Sequence, residues 1–147
     1  MRTIVLALLV CILTAGCGYK GLDIAVASAG PTVPVPTTAA PPERPPGNPG
    51  DVFIDNPSIV DSRPLPIDSW SRLGNAEALA VHFTVGVPEC YGVHATVYET
   101  TETVTVELRS GSPPEAVGHM CIMIAVFGTL EVPLQSPLGD REVLSVY

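Results

Sequence analysis

Leu79-Ala80-Val81-His82-Phe83-Thr84-Val85-Gly86-Val87 is the stretch that decides the fold. Leu79, Val81, Phe83, Val85 and Val87 fall on every second position, the period of a strand with one buried face. Pro88-Glu89-Cys90-Tyr91-Gly92 ends the run. Val93, Ala95 and Val97 then alternate with His94, Thr96 and Tyr98. After Glu99-Thr100-Thr101-Glu102 the alternation resumes, with Val104, Val106 and Leu108 against Thr103, Thr105, Glu107 and Arg109. Period two on both sides of a short polar turn predicts a hairpin. One of its faces is Val, Ala and Leu, and the other carries Thr, charge and aromatic rings, as in a sheet solvated on one side.

Towards the C-terminus, Ser110-Gly111-Ser112-Pro113-Pro114 breaks the pattern. Cys121 to Phe127 is almost wholly apolar and predicts a buried central strand. Leu130, Val132 and Leu134 alternate after a bend at Gly128, with Pro133 at an edge position. Pro137-Leu138-Gly139-Asp140-Arg141 reads as a turn before a last strand, Glu142 to Tyr147. Towards the N-terminus, Val52-Phe53-Ile54 and Ser58-Ile59-Val60 are short pieces separated by prolines. Trp70 is expected in a loop with its indole on the core, followed by a weak helical turn at Ala76–Leu79. Six or so short strands without a helix-period stretch predict an all-β fold. Residues 51–147 are therefore read as a small antiparallel β-sandwich.

Residues 17–50 read as a linker rich in Pro, Thr and Ala, with Pro31-Thr32-Val33-Pro34-Val35-Pro36-Thr37-Thr38-Ala39-Ala40-Pro41-Pro42 at its centre. Proline fixes φ, removes donors and pushes the preceding residue out of the α region. A disordered polyproline-II stalk is expected, rising about 3.1 Å per residue and reaching up to about 90 Å. Thr32, Thr37 and Thr38 beside prolines are candidate O-glycosylation sites.

Residues 1–16 read as a signal peptide. Arg2 is a short basic start, and Ile4 to Leu13 is an apolar run too short for a bilayer, which needs about 20 residues. Leu13-Thr14-Ala15-Gly16-Cys17 resembles the lipobox of bacterial lipoproteins, with Thr14 where that family more often has Leu. The resemblance implies cleavage before Cys17, lipidation of its thiol, and a protein tethered to the extracytoplasmic face of the cell membrane. An ordinary secretory leader, leaving a soluble exported protein, is the alternative. Two or three acyl chains would hold the protein stably, whereas one anchors only marginally.

Of four cysteines, Cys11 lies in the leader and Cys17 takes the lipid. Cys90 and Cys121 remain, an even pair in a chain bound for an oxidising compartment, and a disulfide is expected. Two buried free thiols are the alternative. Cys90-Tyr91-Gly92, Glu99-Thr100, Thr103-Val104-Thr105-Val106, Cys121 and Pro137-Leu138-Gly139-Asp140-Arg141 together resemble uncharacterised secreted lipoproteins of actinobacteria, over about the last 60 residues. The resemblance implies this architecture and brings no assigned activity.

The formal net charge of −8, with seven basic residues spread along 147, offers no footprint for nucleic acid. It also repels anionic lipid, so a membrane partner would have to be held by the lipid anchor rather than by charge. No GxSxG, HExxH, CxxC or GxxxxGK[ST] pattern occurs, so no catalytic residue and no cofactor is expected. His82, His94 and His119 are too scattered for a metal-ligand set, and His82 and His94 are expected to face solvent. Glu99, Glu102 and Glu107 surround one turn, where they keep an edge soluble. Tyr91, Tyr98, Asp140 and Arg141 are the candidate ligand contacts. Tyr91 has packing against the bridge, and Asp140-Arg141 a local salt bridge, as the plainer alternatives. A binding or accessory module with an envelope-protein or cell-wall partner follows, and a small envelope hydrolase using scattered carboxylates is the rival.

Overall fold

The computed structural model describes residues 36–47 and 50–147. The expected signal peptide, the expected lipidation site at Cys17 and the first part of the expected linker lie outside them. Nine strands occur among the described residues: β1 Thr38–Ala39, β2 Asp51–Phe53, β3 Val60–Pro64, β4 Ser69–Arg72, β5 Ala78–Gly86, β6 Gly92–Glu99, β7 Thr103–Ser112, β8 Ala125–Pro133 and β9 Glu142–Val146. A single 3-10 turn, Pro114–Ala116, joins β7 to the loop before β8.

The strands form the expected sandwich. One sheet runs β1-β9-β7-β3 with β6 along the other side of β7, and the second runs β2-β8-β5-β4. Pairing is antiparallel except for β2 on β8 and β9 on β7. The predicted hairpin is β6–β7, in register from Gly92↔Gly111 to Glu99↔Val104. Its turn is held by Thr100, whose hydroxyl accepts from the Thr103 N–H at 2.8 Å and the Glu102 N–H at 3.2 Å. Hydroxyl capping of this kind is what makes Thr a turn residue.

The alternation sorts the side chains as physics requires. Leu79, Val81 and Phe83 of β5, Leu130 and Val132 of β8, and Val104, Val106 and Leu108 of β7 are buried between the sheets. Each such side chain contributes about 1.5–3 kcal/mol of transfer free energy. Phe53 and Phe83 meet edge to face at 5.4 Å. Their rings fill the space where a Cβ on Gly128 would stand. That explains Gly128 better than the expected bend, because β8 pairs with β5 without interruption from Gly86↔Ala125 to Ala78↔Pro133. A real irregularity sits in β3, where the register on β7 shifts between Val60 and Arg63 and Asp61 adopts φ 51°.

Four further expectations change. Trp70 lies in strand β4, not in a loop, with its indole buried as expected. Ala76–Leu79 forms no helical turn, since β5 begins at Ala78. Cys121–Phe127 is not a buried strand: β8 begins at Ala125, Cys121–Ile124 precede it and are exposed, and Ala125 and Phe127 are exposed as well. The reason is geometric. β5 ends at Gly86 before Pro88, so the chain N-terminal to Ala125 has no strand of β5 to pair with.

The fourth change is the start of the folded unit, which begins within the expected linker. Thr38 and Ala39 pair with Val146 and Ser145 of β9. The Trp70 indole N–H donates to the Pro41 carbonyl at 3.1 Å, the Trp70 amide to the Pro42 carbonyl at 3.1 Å, and the Arg44 amide to the Trp70 carbonyl at 2.7 Å. Proline cannot donate to a ladder, but its carbonyl accepts, and an extended proline-rich chain fits a strand edge. The segment thus crosses from the first sheet to the second along one side of the sandwich.

Candidate binding site

Beyond Arg44 the chain leaves β4 and reaches Gly50, which lies against the carbonyl of Phe127 on β8. Gly50 has φ +66°, and a Cβ there would strike that carbonyl, so the close approach requires glycine. The segment thereby straps the outer face of the second sheet. Beneath it is a cavity of about 560 Å3, lined among others by Arg44, Asp68, Ser69, His82 and Phe127. That is within the usual range of small-molecule sites.

His82 projects from β5 onto this face. Its Nε2 is 2.9 Å from the Ser71 hydroxyl and its Nδ1 2.8 Å from the Thr129 hydroxyl, on the strands to either side. One ring nitrogen donates and the other accepts, as a neutral imidazole does. Burial, reinforced by the positive charge of Arg44, holds its pKa below the ordinary 6.5. The expectation that His82 faces open solvent is corrected to a half-buried residue on the cavity floor. Thr84 donates to Asp68 Oδ2 at 3.0 Å, which fixes that carboxylate at the rim. Phe127 is 77% exposed and offers an apolar wall.

The Ser71–His82 contact has the spacing of a nucleophile and its base, yet Ser71 is only 2% exposed and the third member is Thr129 rather than a carboxylate. The two hydroxyls fix the His82 ring on the cavity floor. What the cavity presents is one guanidinium, one carboxylate and one exposed aromatic face. That set suits a small ligand with an anionic group and a flat apolar portion.

The residues singled out from sequence lie elsewhere. Tyr91 is half-buried, its ring occupying the space beside Gly86 and packed on the core, so it serves as packing. Tyr98 is exposed on the edge strand β6. Asp140 is exposed in the turn before β9. Arg141 does not pair with Asp140. Its Nη1 donates to Glu99 Oε2 at 2.7 Å, Nη2 to the carbonyls of Ser136 and Pro137 at 2.6 and 3.0 Å, and Nε to that of Leu138 at 3.3 Å. A guanidinium so engaged is a clamp for the β8–β9 connection. Tyr91 stands at the start of β6 and Arg141 beside Glu99 at its end, so the four do not converge.

Cys90 and Cys121 form the expected disulfide, with Cα atoms 6.0 Å apart. It joins the β5–β6 loop to the loop before β8. His94 does not approach a metal set; its Nδ1 is 3.0 Å from Asp55 Oδ1, which also accepts from the Ala95 amide at 2.8 Å. Among the described residues no group of three or more His, Cys, Asp or Glu could hold a metal ion. Sequence reasoning missed the cavity because Arg44 lay in the supposed linker and His82 was placed in solvent. No family model, curated protein or solved structure matches the chain.

Proposed function

We propose that this chain is an exported lipoprotein, anchored through Cys17 on the outer face of the cell membrane, whose sandwich binds a small envelope-derived ligand. The observation that carries the binding reading is the strapped cavity: a concave site of ligand size where Arg44, Asp68 and Phe127 converge on a floor whose polar groups are already bonded. The disulfide supports an oxidising compartment. The lipobox-like stretch Leu13-Thr14-Ala15-Gly16-Cys17 supports the anchor. Arg44 would take the anionic group and Phe127 the apolar portion, which fits carboxylated cell-wall fragments better than neutral sugars.

Thermal unfolding of the full lipidated chain in detergent micelles, with and without soluble cell-wall fragments, tests this. A carboxylated fragment should raise the Tm of the wild type and leave Arg44→Ala unmoved. No shift with any fragment contradicts the reading. Turnover of a fragment that Asp68→Asn abolishes would make the protein a hydrolase instead.

A further inference from the structure

The loop between the 3-10 turn and β8 has an unusual surface. Between Glu115 and Glu131 the sequence contains no charged side chain apart from the titratable His119. Within it Val117, Met120, Ile122, Met123 and Ile124 are all exposed, Met123 to 94%. Contiguous exposed apolar side chains of this kind mark a contact surface. The disulfide ties Cys121 to Cys90, beside the start of β6, so the loop is held at one end of the sandwich.

The strand registers show which end that is. β5 finishes there at Gly86, β8 starts there at Ala125, and β7 finishes there at Ser112. At its first described residues the chain points in the same direction. Thr38 pairs with Val146, which pairs with Glu107 of β7, and β9 runs parallel to β7. Since β1 is antiparallel to β9, the chain from Thr38 back to Pro36 heads towards the Ser112 end. The chain therefore enters the described fold from the end that carries the apolar loop, and Cys17 precedes Pro36 by nineteen residues in sequence.

We propose that the 117–124 loop is a second membrane contact, its apolar side chains entering the interface of the leaflet that holds the Cys17 lipid. This rests on the lipid-anchor reading. Amphipathic interfacial helices seat about 5–10 Å into the headgroup boundary through buried apolar area, and an apolar loop would draw on the same term. With a net charge of −8 the protein gains nothing from anionic lipid, so the contact is apolar, insensitive to salt and formed on zwitterionic bilayers. It would fix the orientation of the domain, holding the Thr100–Thr101 turn at the far end of the hairpin away from the surface.

The test uses the full lipidated chain in phosphatidylcholine vesicles, plain or with brominated acyl chains, carrying Met123→Trp or Thr101→Trp. The native Trp70 is buried in the core and supplies the same background in both. Trp emission from Met123→Trp should fall about twofold on bromination, and that from Thr101→Trp should stay unchanged. Adding Ile122→Asp and Ile124→Asp should abolish the quenching. Protein that floats with the vesicles while neither position is quenched overturns the loop contact and leaves the anchor standing. Protein that does not float overturns both. Unquenched protein that instead cross-links through the loop makes it a surface between copies of this chain.

Discussion

Arg141 shows how a single side chain can look like a ligand contact in sequence and prove to be part of the frame. The side chains of Arg141 and Glu99 are only 10% and 12% exposed, and the guanidinium also satisfies three carbonyls of the β8–β9 connection. Removing Arg141 leaves the Glu99 carboxylate with backbone amides as its only partners and three connection carbonyls without their donor. Arg141→Ala should therefore cost about 3 kcal/mol, measured as a fall in the urea midpoint. Two titrations belong to the same scale. Burial opposes ionisation of Glu99, but bonds from the Gln135 amide and from Arg141 outweigh it and hold its pKa below the ordinary 4.5. The stabilisation is complete above pH 4.5 and is lost as pH falls through the lowered value. His82 is also lowered, chiefly by burial and then by Arg44. The unfolded chain takes up this proton first, so stability starts to fall below pH 6.5 and the loss is complete below the folded value. Urea midpoints against pH should show both limbs, and His82→Gln should remove the upper one.

Elements were legible wherever alternation alone determines the outcome, and illegible where burial depends on a partner. The β6–β7 hairpin could be read because both strands and the turn chemistry lie within twenty residues. The apolar run at Cys121 looked equally clear, yet a strand needs a neighbour, and β5 ends opposite Ala125. Gly128 was legible as special but not as to why, because the rings that require it come from β2 and β5. The strap was invisible for a related reason: the acceptors it offers are carbonyls of Pro41 and Pro42, which no side-chain pattern announces. The disulfide was legible from the cysteine tally, though not the exposed loop it restrains. Closing a loop of 31 residues is worth about 3–4 kcal/mol in the chain-entropy model. Reduction should lower unfolding stability by about that amount while leaving the β-sheet far-UV signal at neutral pH. Loss of the sheet signal on reduction would mean that the bridge holds more than a loop.

For the whole molecule, the consequence is a larger folded unit and a shorter expected linker. With Pro36–Gly47 engaged on the sandwich, the predicted spacer shrinks to residues 18–35 and its greatest reach to about 55 Å. Deleting residues 20–33 should leave the Tm of the mature protein unchanged. Extending the deletion through Arg44 removes β1 and the acceptor of the Trp70 indole, and should lower stability by several kcal/mol, about 1 for each lost bond and more for the uncovered core. On the proposed reading, the Cys17 lipid and the 117–124 loop would together display the domain close to the bilayer. The measurement that bears most directly on this account is the intact mass of the protein recovered from the membrane fraction of its native host. The account predicts a chain beginning at Cys17, heavier by a diacylglyceryl group and further acylation, and lighter by the two hydrogens lost in the Cys90–Cys121 bond. A mature chain that begins elsewhere and carries no lipid would contradict it.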